Sequence, residues 1–501
     1  MLSGEISNLK NKRDVPGLLT LYAQNVDNVN AIHLANIYGT LAKEVRGSDN
    51  VEKLKTDERF ETLLESTFEK LQSTPEWFEV RQIATITHSL GKLNIFDEWF
   101  FNEIVKLRKR IAKEGDPQHL SNIVWACATI GWKSVELLEA VAGQHGRIVR
   151  DGNVQAMSNI TWAFAKLECN AETLFGAVAA QHKRIAESSD VQGMSNICWS
   201  FAKLDYKAAE LFEAVAGQHK LIAGRGDVQH MSNICSAFAK AGHKAEALFE
   251  AVARQHGRIT GSGNVQDMSN ICWAFATIGH EAKDLFKAVA AQHGRFVRDG
   301  NEQDVATTLW SFAIAGCLDE GRDLVEKLWN RACDGRLQFN DEGGLKQLAL
   351  FYASAQIEVP NLNLEPPPES LLGQIEAAAA QSNVTVSQEH QEVSDTLTEL
   401  NIDHKMEVSP FEGSNVTFNT SAMLNIDIVI SKNENKNIAI EFNGPFHYIQ
   451  FDGQDFESGT TKFKRRLLEK LNFTVVSIHW DEWRRAREAN TRKDFLRKLI
   501  N

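Results

Sequence analysis

One twelve-residue pattern recurs along this chain at a fixed spacing of 37 residues. Five strong copies begin at residues 120, 157, 194, 231 and 268, and two weaker copies on the same register begin at residues 83 and 305. Segments 34–45 and 345–356 resemble them more distantly, so the chain holds about nine units. A chain with such a period folds as a stack of repeated units, each of which buries its apolar face against its neighbours.

The apolar residues of each unit follow the spacing of two α-helices. In one unit they are Met268, Ile271, Cys272 and Phe275 for the first helix, and Leu285, Phe286, Val289, His293 and Phe296 for the second. An Asp or Asn precedes the first helix in six successive units, where its side chain can cap the free N–H groups of the first turn. These residues are Asp116, Asn153, Asp190, Asp227, Asn264 and Asn301. The sequence therefore predicts an α-solenoid of about nine two-helix repeats.

A different organisation follows the repeats. Residues 358–386 predict an acidic linker that contains three consecutive prolines. From residue 387 onward, helix and strand spacings alternate in the order α-β-β-β-α-β, which predicts a small α/β domain. The predicted domains are a helical region with a degenerate repeat at 1–79, the solenoid at 80–357, the linker at 358–386, and the α/β domain with a helical tail at 387–501.

Charge is unevenly distributed along the chain. The formal net charge is −12, but residues 461–501 carry twelve Lys or Arg against five Asp or Glu. A basic surface near the carboxyl terminus is therefore expected. We expect no membrane partner, because no stretch approaches the roughly 18–20 uninterrupted apolar residues that a span needs. The opening MLSGEISNLKNKR contains no clear targeting peptide.

An Asn and a Lys seven residues later share one exposed face of the first helix in three units. They are Asn159 with Lys166, Asn196 with Lys203, and Asn233 with Lys240. Asn is mildly unfavourable inside a helix, so its repetition favours a hydrogen-bonding role, with Asn on bases and Lys on phosphates. The alternative is a solvated face copied by duplication, and the residues by themselves do not decide between the two.

Three further columns of the repeat are interpreted as structural. The arginine column is expected on a solvated face, and consists of Arg110, Arg147, Arg184, Arg258 and Arg295. The tryptophan column is expected to fill the packing between repeats, and consists of Trp125, Trp162, Trp199, Trp273 and Trp310. The histidine column, from His145 to His293, is expected at the edge of the core. Stacked helices lie about 8–10 Å apart, too far for these histidines to share a metal ion.

The repeat resembles the octotricopeptide-repeat (OPR) family, whose first helix carries an N-x-x-W-A-x-A-K-L-G pattern. The corresponding segments here are NITWAFAKLE and NICWAFATIG, and the resemblance covers residues 80–320. It implies that the solenoid binds single-stranded RNA in a mitochondrion or chloroplast. The short period departs slightly from that family, which leaves a HEAT-like scaffold for proteins as an alternative.

The carboxyl-terminal motifs IDIVI, IAIEFNGPFHY and TKFKRRLLEKLNFTVVSIHWDEW resemble the RAP domain, which is similar to restriction-endonuclease-like folds. In those folds an Asp on one strand and a Glu on the next bind Mg²⁺ and activate water. The resemblance places Asp427 and Glu441 in these catalytic and metal-binding roles. Asn443 occupies the position of the catalytic Lys, so cleavage would require Lys462, Lys464 or His447 as a substitute.

The same domain is expected to contact RNA whether or not it cleaves. His447 follows the strand of Glu441 and is a candidate for stacking on a base. Four basic residues are candidates for phosphate contacts, namely Lys462, Lys464, Arg465 and Arg466.

The function predicted from these features is single-stranded RNA binding in organellar transcript processing, stability or translation. The expected partners are RNA and a recruited processing or translation factor, and no cofactor is required. The first alternative is an endoribonuclease that uses Mg²⁺ or Mn²⁺ and is guided by the solenoid. The second alternative is the protein scaffold.

Overall fold

The protein is described here by a computed structural model that covers residues 2–380, 387–411, 421–431, 437–451 and 454–500. It divides into two compact units, Met1–Gly217 and Gln218–Asn501. None of the helices in these ranges is long and apolar enough to cross a membrane. The domain boundaries predicted from the sequence stay predictions.

The first unit is entirely helical in its described part. Five helices precede the regular repeats: α1 Leu2–Lys12, α2 Val15–Ala23, α3 Ala31–Glu44, α4 Ser48–Lys55 and α5 Glu58–Ser73. The repeats follow as α6 Val80–Lys92, α7 Glu98–Lys106, α8 Arg108–Glu114, α9 Pro117–Ile130, α10 Val135–Ala142, α11 His145–Asp151, α12 Val154–Lys166, α13 Glu172–Ala179, α14 His182–Ser188, α15 Val191–Lys203 and α16 Ala209–Ala216. Helices α3, α6, α9, α12 and α15 pack successively side by side.

The second unit continues the repeats. Its repeat helices are α17 His219–Arg225, α18 Val228–Ala241, α19 Glu246–Ala253, α20 His256–Ser262, α21 Val265–Ile278, α22 Lys283–Ala290, α23 His293–Asp299, α24 Glu302–Ile314, α25 Arg322–Cys333 and α26 Glu342–Glu358. Here α18, α21, α24 and α26 pack successively on one another. The predicted helical-repeat fold is confirmed.

The second helix of each regular repeat is divided in two. In one repeat, α22 ends at Ala290 and α23 begins at His293, with the backbone N–H of Gln292 bonded to the oxygen of Val289 at 2.9 Å. This tighter bond replaces one step of the α-helical ladder and turns the chain. The predicted second helix is therefore two short helices, and the histidine column marks the start of the latter.

The predicted N-caps are confirmed at all six positions. Asn153 is typical, because its side chain accepts a hydrogen bond of 2.8 Å from the backbone N–H of Ala156. Asn264 and Asn301 also form capping boxes with the acidic residue three positions later. These caps fix where each first helix begins, and so keep its exposed face in the same register from repeat to repeat.

The arginine column does not lie on a solvated face, so that interpretation was wrong. The guanidinium of Arg184 donates to the backbone oxygens of Val149 at 2.7 Å and Gly152 at 2.5 Å, at the carboxyl end of α11 in the preceding repeat. Arg147, Arg258 and Arg295 make equivalent bonds to the ends of α8, α17 and α20. Each arginine thus caps the last helix of the repeat before its own, where the helix dipole favours a cation. We call these contacts the arginine clamp.

The rest of the second unit is a mixed α/β region. It contains α27 Glu369–Ala380, α28 Gln388–Glu399, β1 Lys405–Val408, α29 Ser421–Leu424, β2 Ile426–Ser431, β3 Asn437–Asn443, β4 Tyr448–Phe451, β5 Gln454–Glu457, α30 Gly459–Lys470, β6 Phe473–His479, α31 Trp480–Glu488 and α32 Arg492–Ile500. Four strands form a sheet in the order β1-β2-β3-β6, antiparallel except for the parallel pair β3–β6. The predicted order of elements is confirmed, with a small antiparallel hairpin β4–β5 in addition.

The sheet is covered on both faces at its central strand β3. Six of its seven residues are buried, as expected for a strand that pairs in parallel on one side. On one face, Ile440 and Phe442 pack with Trp483 and Leu496 of the closing helices. On the other face, Ala439 packs with Leu468 of α30. Helix α30 is thereby fixed against the sheet, next to the end of β3.

We expect the arginine clamp to contribute measurably to stability. Arg184→Ala should destabilise the protein by about 1.5–3 kcal/mol, because it removes two charge-assisted hydrogen bonds to helix carbonyls. Arg184→Lys should recover little, since an ammonium cannot bridge two oxygens as a planar guanidinium does. The matched control is Arg150→Ala, an exposed arginine paired only with its neighbour Asp151 among its described contacts. Thermal unfolding of the three variants tests this, and equal melting temperatures for Arg184→Ala and Arg150→Ala would contradict it.

Candidate functional site

A stripe of polar and aromatic side chains runs along the first helix of each repeat. On α12 it consists of Gln155, Asn159, Trp162 and Lys166, of which Gln155 and Lys166 are exposed and the other two are half-buried. These positions are spaced by four, three and four residues, which places them on one side of the helix. We call these residues, and their equivalents in other repeats, the polar stripe.

The structure brings two of the predicted asparagines together. Asn159 on α12 and Asn196 on α15 line one polar cavity of about 350 Å³ between successive repeats. Gln155, Gln192 and the N-cap residue Asn153 line the same cavity, so five amide side chains offer both hydrogen-bond donors and acceptors there. Such a set suits the edges of nucleobases, which present the same two kinds of group.

The lysines of the polar stripe lie further along the same helices. Lys166, Lys203 and Lys240 are all exposed. Lys203 also forms a 2.9 Å ion pair with Glu168, a contact between two exposed groups that contributes little stability. Asn233 and Lys240 occupy the equivalent positions on α18 in the second unit. The predicted pairs are therefore accessible, and RNA contact by them stays a prediction.

Three carboxylates lie in a row across the α/β sheet. Ile428 pairs with Met406 on one side and with Ile440 on the other, so the next residue along, Asp427, lies between Glu407 and Glu441. Opposed residues in antiparallel strands share one face of the sheet, with Cβ atoms about 5 Å apart. Asp427 also accepts a 2.7 Å hydrogen bond from the backbone N–H of Phe442. The predicted pair Asp427 and Glu441 therefore lies on adjacent strands.

Lys464 of α30 reaches into this row. Its ammonium contacts Glu441 Oε2 and donates a 2.7 Å hydrogen bond to the oxygen of Asn425. Burial raises the pKa of Glu441 to about 8, although the ammonium of Lys464 opposes this. Burial opposes the charge on Lys464 too, but the carboxylates of Glu441 and Asp427 raise its pKa on balance. Of the three substitutes considered for the missing catalytic lysine, it is Lys464 that contacts Glu441.

The residues that suit a metal ion differ from the predicted pair. Within the described residues, ligand atoms of His390, Glu407 and Asp427 lie within 4.8 Å of one another. Glu441 is outside this group, and its Oε2 contacts the ammonium of Lys464. An imidazole with two carboxylates suits Mn²⁺ or Zn²⁺ better than Mg²⁺, which prefers oxygen ligands. The predicted pair fits a divalent ion poorly as it stands, while His390, Glu407 and Asp427 could hold one.

Two of the predicted phosphate-binding residues instead attach α30 to the repeats. Lys462 donates a 2.9 Å hydrogen bond to the oxygen of Gly279, which caps the end of α21. Arg466 donates to Ala313 and Ile314 at the end of α24, at 2.6 and 3.2 Å, and pairs with Glu358 at the end of α26. The domain thus caps two consecutive first helices, α21 and α24, in the manner of the arginine clamp, and pairs with a side chain at the end of a third, α26.

Gly459 at the start of α30 shows how close this contact is. A Cβ atom at this position would lie 1.6 Å from the backbone oxygen of Ala276 in α21. A residue with a side chain therefore cannot occupy this position without moving α30 away from the repeats.

The remaining predicted residues lie around a cavity of about 210 Å³ that the repeats help to close. Ile314 and Leu350 of the repeats line it together with Glu441, Lys464 and His447, among others. Arg465 also borders the cavity and pairs with Glu457 at 2.9 Å. Burial and the nearby ammonium of Lys464 lower the pKa of His447. RNA contact by these residues would compete with the protein contacts observed here.

Sequence reasoning missed His390, Glu407 and the half-buried position of four tryptophans of the column. Glu407 has a φ of +51°, a conformation that few residues other than glycine adopt and that often marks functional positions. The register that places it beside Asp427 is set by strand pairing, which the sequence did not reveal. The tryptophans could have been found from their three-residue spacing after each stripe asparagine.

Two protein families match parts of the chain. A family model of the RAP domain matches residues 440–499, and a model of the RNA-editing substrate-binding complex 6 protein matches residues 170–359. No curated protein sequence matches the chain significantly.

The chain is a helical-repeat protein with a carboxyl-terminal RAP domain. Its repeats are similar, over residues 170–359, to the RNA-editing substrate-binding complex 6 protein. The two matches support an RNA-related function. The RAP prediction is confirmed, while the OPR assignment of the repeats and the endonuclease-like fold of the RAP domain stay predictions.

Glu441 should make stability depend on pH. Its pKa of about 8 in the folded protein lies above the ordinary value of 4.5, so folding retains a proton that the unfolded chain releases. The free energy of unfolding should therefore fall as the pH rises from about 4.5 to about 8. Glu441→Gln removes the titrating group and should reduce this slope by up to about 1 kcal/mol per pH unit.

The measurement is chemical or thermal unfolding at several pH values, with Glu469→Gln as the control. Glu469 is exposed on the same α30 helix that carries Lys464, so its substitution should leave the slope unchanged. Parallel curves for wild type and Glu441→Gln would show that the carboxyl group is already ionised in the folded protein.

Proposed function

We propose that this protein binds single-stranded RNA along the polar stripe of its repeats and acts in the processing, stability or translation of transcripts. The observation that carries the proposal is the cavity between α12 and α15, where amide side chains of successive repeats converge, with exposed lysines about two helical turns further along the same helices. The amides can form hydrogen bonds with base edges, and the lysines can contact phosphates. The amide column would therefore give selectivity, while the lysine column would position the RNA backbone.

The RAP domain would add affinity and fix one end of the bound strand relative to the repeats. Its helix α30 is attached to α21, α24 and α26 through Lys462 and Arg466, so both parts of the second unit would face RNA together.

We also propose that the protein acts in a mitochondrion and recruits a processing or translation factor, because its repeats resemble those of OPR proteins. Nothing in the comparisons favours the chloroplast.

Lysine substitutions test the proposal. Changing Lys166, Lys203 and Lys240 together to Ala should weaken binding to any single-stranded RNA and reduce the salt slope by up to about three, one per lost phosphate contact. The matched control removes the same charge from exposed lysines on other helices, Lys183, Lys220 and Lys287. Binding is measured by fluorescence anisotropy of labelled RNA across a range of salt concentrations.

Equal losses in the stripe variant and its control would mean that only net charge matters. If the wild-type protein binds no RNA at any salt concentration, the protein-scaffold alternative is favoured instead.

The contact between Lys464 and Glu441 favours a second candidate, a metal-dependent endoribonuclease. In the nuclease folds that the sequence resembles, a lysine accompanies this carboxylate, but Asn443 occupies its position here. In the structure, Lys464 of α30 contacts Glu441 instead. Against cleavage, burial raises the pKa of Glu441 to about 8, which leaves it a poor ligand for a divalent ion at neutral pH.

We therefore expect binding without cleavage. Wild-type protein, Asp427→Ala and Glu441→Ala incubated with labelled RNA and Mn²⁺ should give equal, background levels of product. Metal binding itself is followed by the shift in melting temperature that Mn²⁺ produces, which should be lost in Asp427→Ala. Products that require Mn²⁺ and appear only with the wild type would establish the enzyme.

A further inference from the structure

Four tryptophans of the repeats are half-buried on the polar stripe and not inside the core. They are Trp125, Trp162, Trp199 and Trp273, each three residues after the stripe asparagine of its helix. In contrast, Trp310 of the same column is buried, with 7% of its surface exposed. Tryptophan is rarely fully buried in proteins, and here the same ring is left partly exposed in four repeats, which makes part of each ring accessible to a ligand.

The surroundings of these rings are those of a base-binding surface. On α12, Trp162 lies between Asn159 and Lys166, so an aromatic face, a hydrogen-bonding amide and a cation adjoin on one helix. At the start of the column, Trp125 lies 5.0 Å from His88, the equivalent residue of the preceding repeat, between ring centroids. These two column positions in adjacent repeats are therefore in ring contact.

We propose that Trp125, Trp162, Trp199 and Trp273 stack on unpaired RNA bases, one base per repeat. This rests on the proposed function and adds how the bases are held, since the unpaired bases of single-stranded RNA present free faces. Every base has such a face, so stacking gives affinity without choosing a sequence, and the adjacent amides supply the choice. Duplex RNA is excluded because its base faces are covered by their neighbours in the stack.

The repeat of α18 provides an internal comparison. It carries Ser236 at the column position, where the hydroxyl donates a 3.5 Å hydrogen bond to the oxygen of Asn270. This repeat retains Asn233 and Lys240 but has no ring, so it contacts a nucleotide without stacking. We therefore expect no stacked base at this repeat, whose column position is a gap among the rings.

A loss-of-stacking variant gives the first test. Trp162→Leu should weaken binding to labelled oligoadenylate by about 5- to 150-fold, the range found when one stacking ring is removed. The matched control is Trp132→Leu, which removes a half-buried tryptophan of the same unit that packs on Phe101 with its ring centroid 5.1 Å away, off the stripe. Its affinity should stay within about twofold of the wild type. Circular dichroism confirms that both variants remain folded.

A gain-of-stacking variant keeps the proposal testable if Trp162→Leu does not fold. Ser236→Trp places a ring in the gap and should raise the affinity for oligoadenylate, and oligoadenylate should quench more tryptophan fluorescence in this variant than in the wild type. An annealed oligoadenylate–oligouridylate duplex should do neither.

The outcomes separate the stacking proposal from the function it rests on. If the lysine variants weaken RNA binding while Trp162→Leu and Ser236→Trp leave both affinity and fluorescence unchanged, the protein binds RNA but the tryptophans only pack between repeats. If wild-type protein binds neither oligoadenylate nor oligouridylate, both proposals fail. Reduced affinity in Trp162→Leu, raised affinity in Ser236→Trp and the associated quenching establish stacking.

Discussion

The bond between an arginine of one repeat and the carboxyl end of a helix in the repeat before it organises each unit of this protein. The last carbonyls of a helix have no partner within it, and a short helix such as α11, with seven residues, leaves most of its carbonyls in that state. The guanidinium of Arg184 satisfies two of them and places the next repeat at a fixed distance. The first helices are thereby held in parallel, which keeps their polar stripe continuous within each unit.

The RAP domain is attached to the repeats by the same kind of contact. It binds the carboxyl ends of first helices, whereas the arginine clamp binds the last helix of a repeat. Lys462 and Arg466 of α30 reach the carboxyl ends of α21 and α24, where backbone oxygens carry partial negative charge. Because Gly459 has no side chain, α30 can approach α21 closely enough for these bonds. Lys462 and Arg466, which the sequence predicted to contact phosphates, thus join the domain to the repeats of the second unit.

In the α/β region, acidic side chains lie close to basic ones. Glu407, Asp427 and Glu441 lie on three adjacent strands, and like charges at such distances repel. Lys464 from α30 and His390 from α28 face this row, the first in contact with Glu441 and the second 3.4 Å from Asp427. Burial is the main reason that the pKa of Glu441 is raised, and the neighbouring charge of Asp427 adds to it.

The sequence by itself determined the repeat and the N-caps, because helix periodicity and capping act between residues close in the chain. It indicated the RAP domain through the resemblance of its motifs. It also placed Asn159 and Lys166 on one exposed face, since helix geometry alone decides that. Only the tertiary structure decided that Arg184 caps a neighbouring repeat, that Lys464 contacts Glu441 and that Glu407 lies beside Asp427. These contacts join residues 20 to 35 positions apart through strand register and helix packing, and such pairings depend on how whole elements meet rather than on any local pattern.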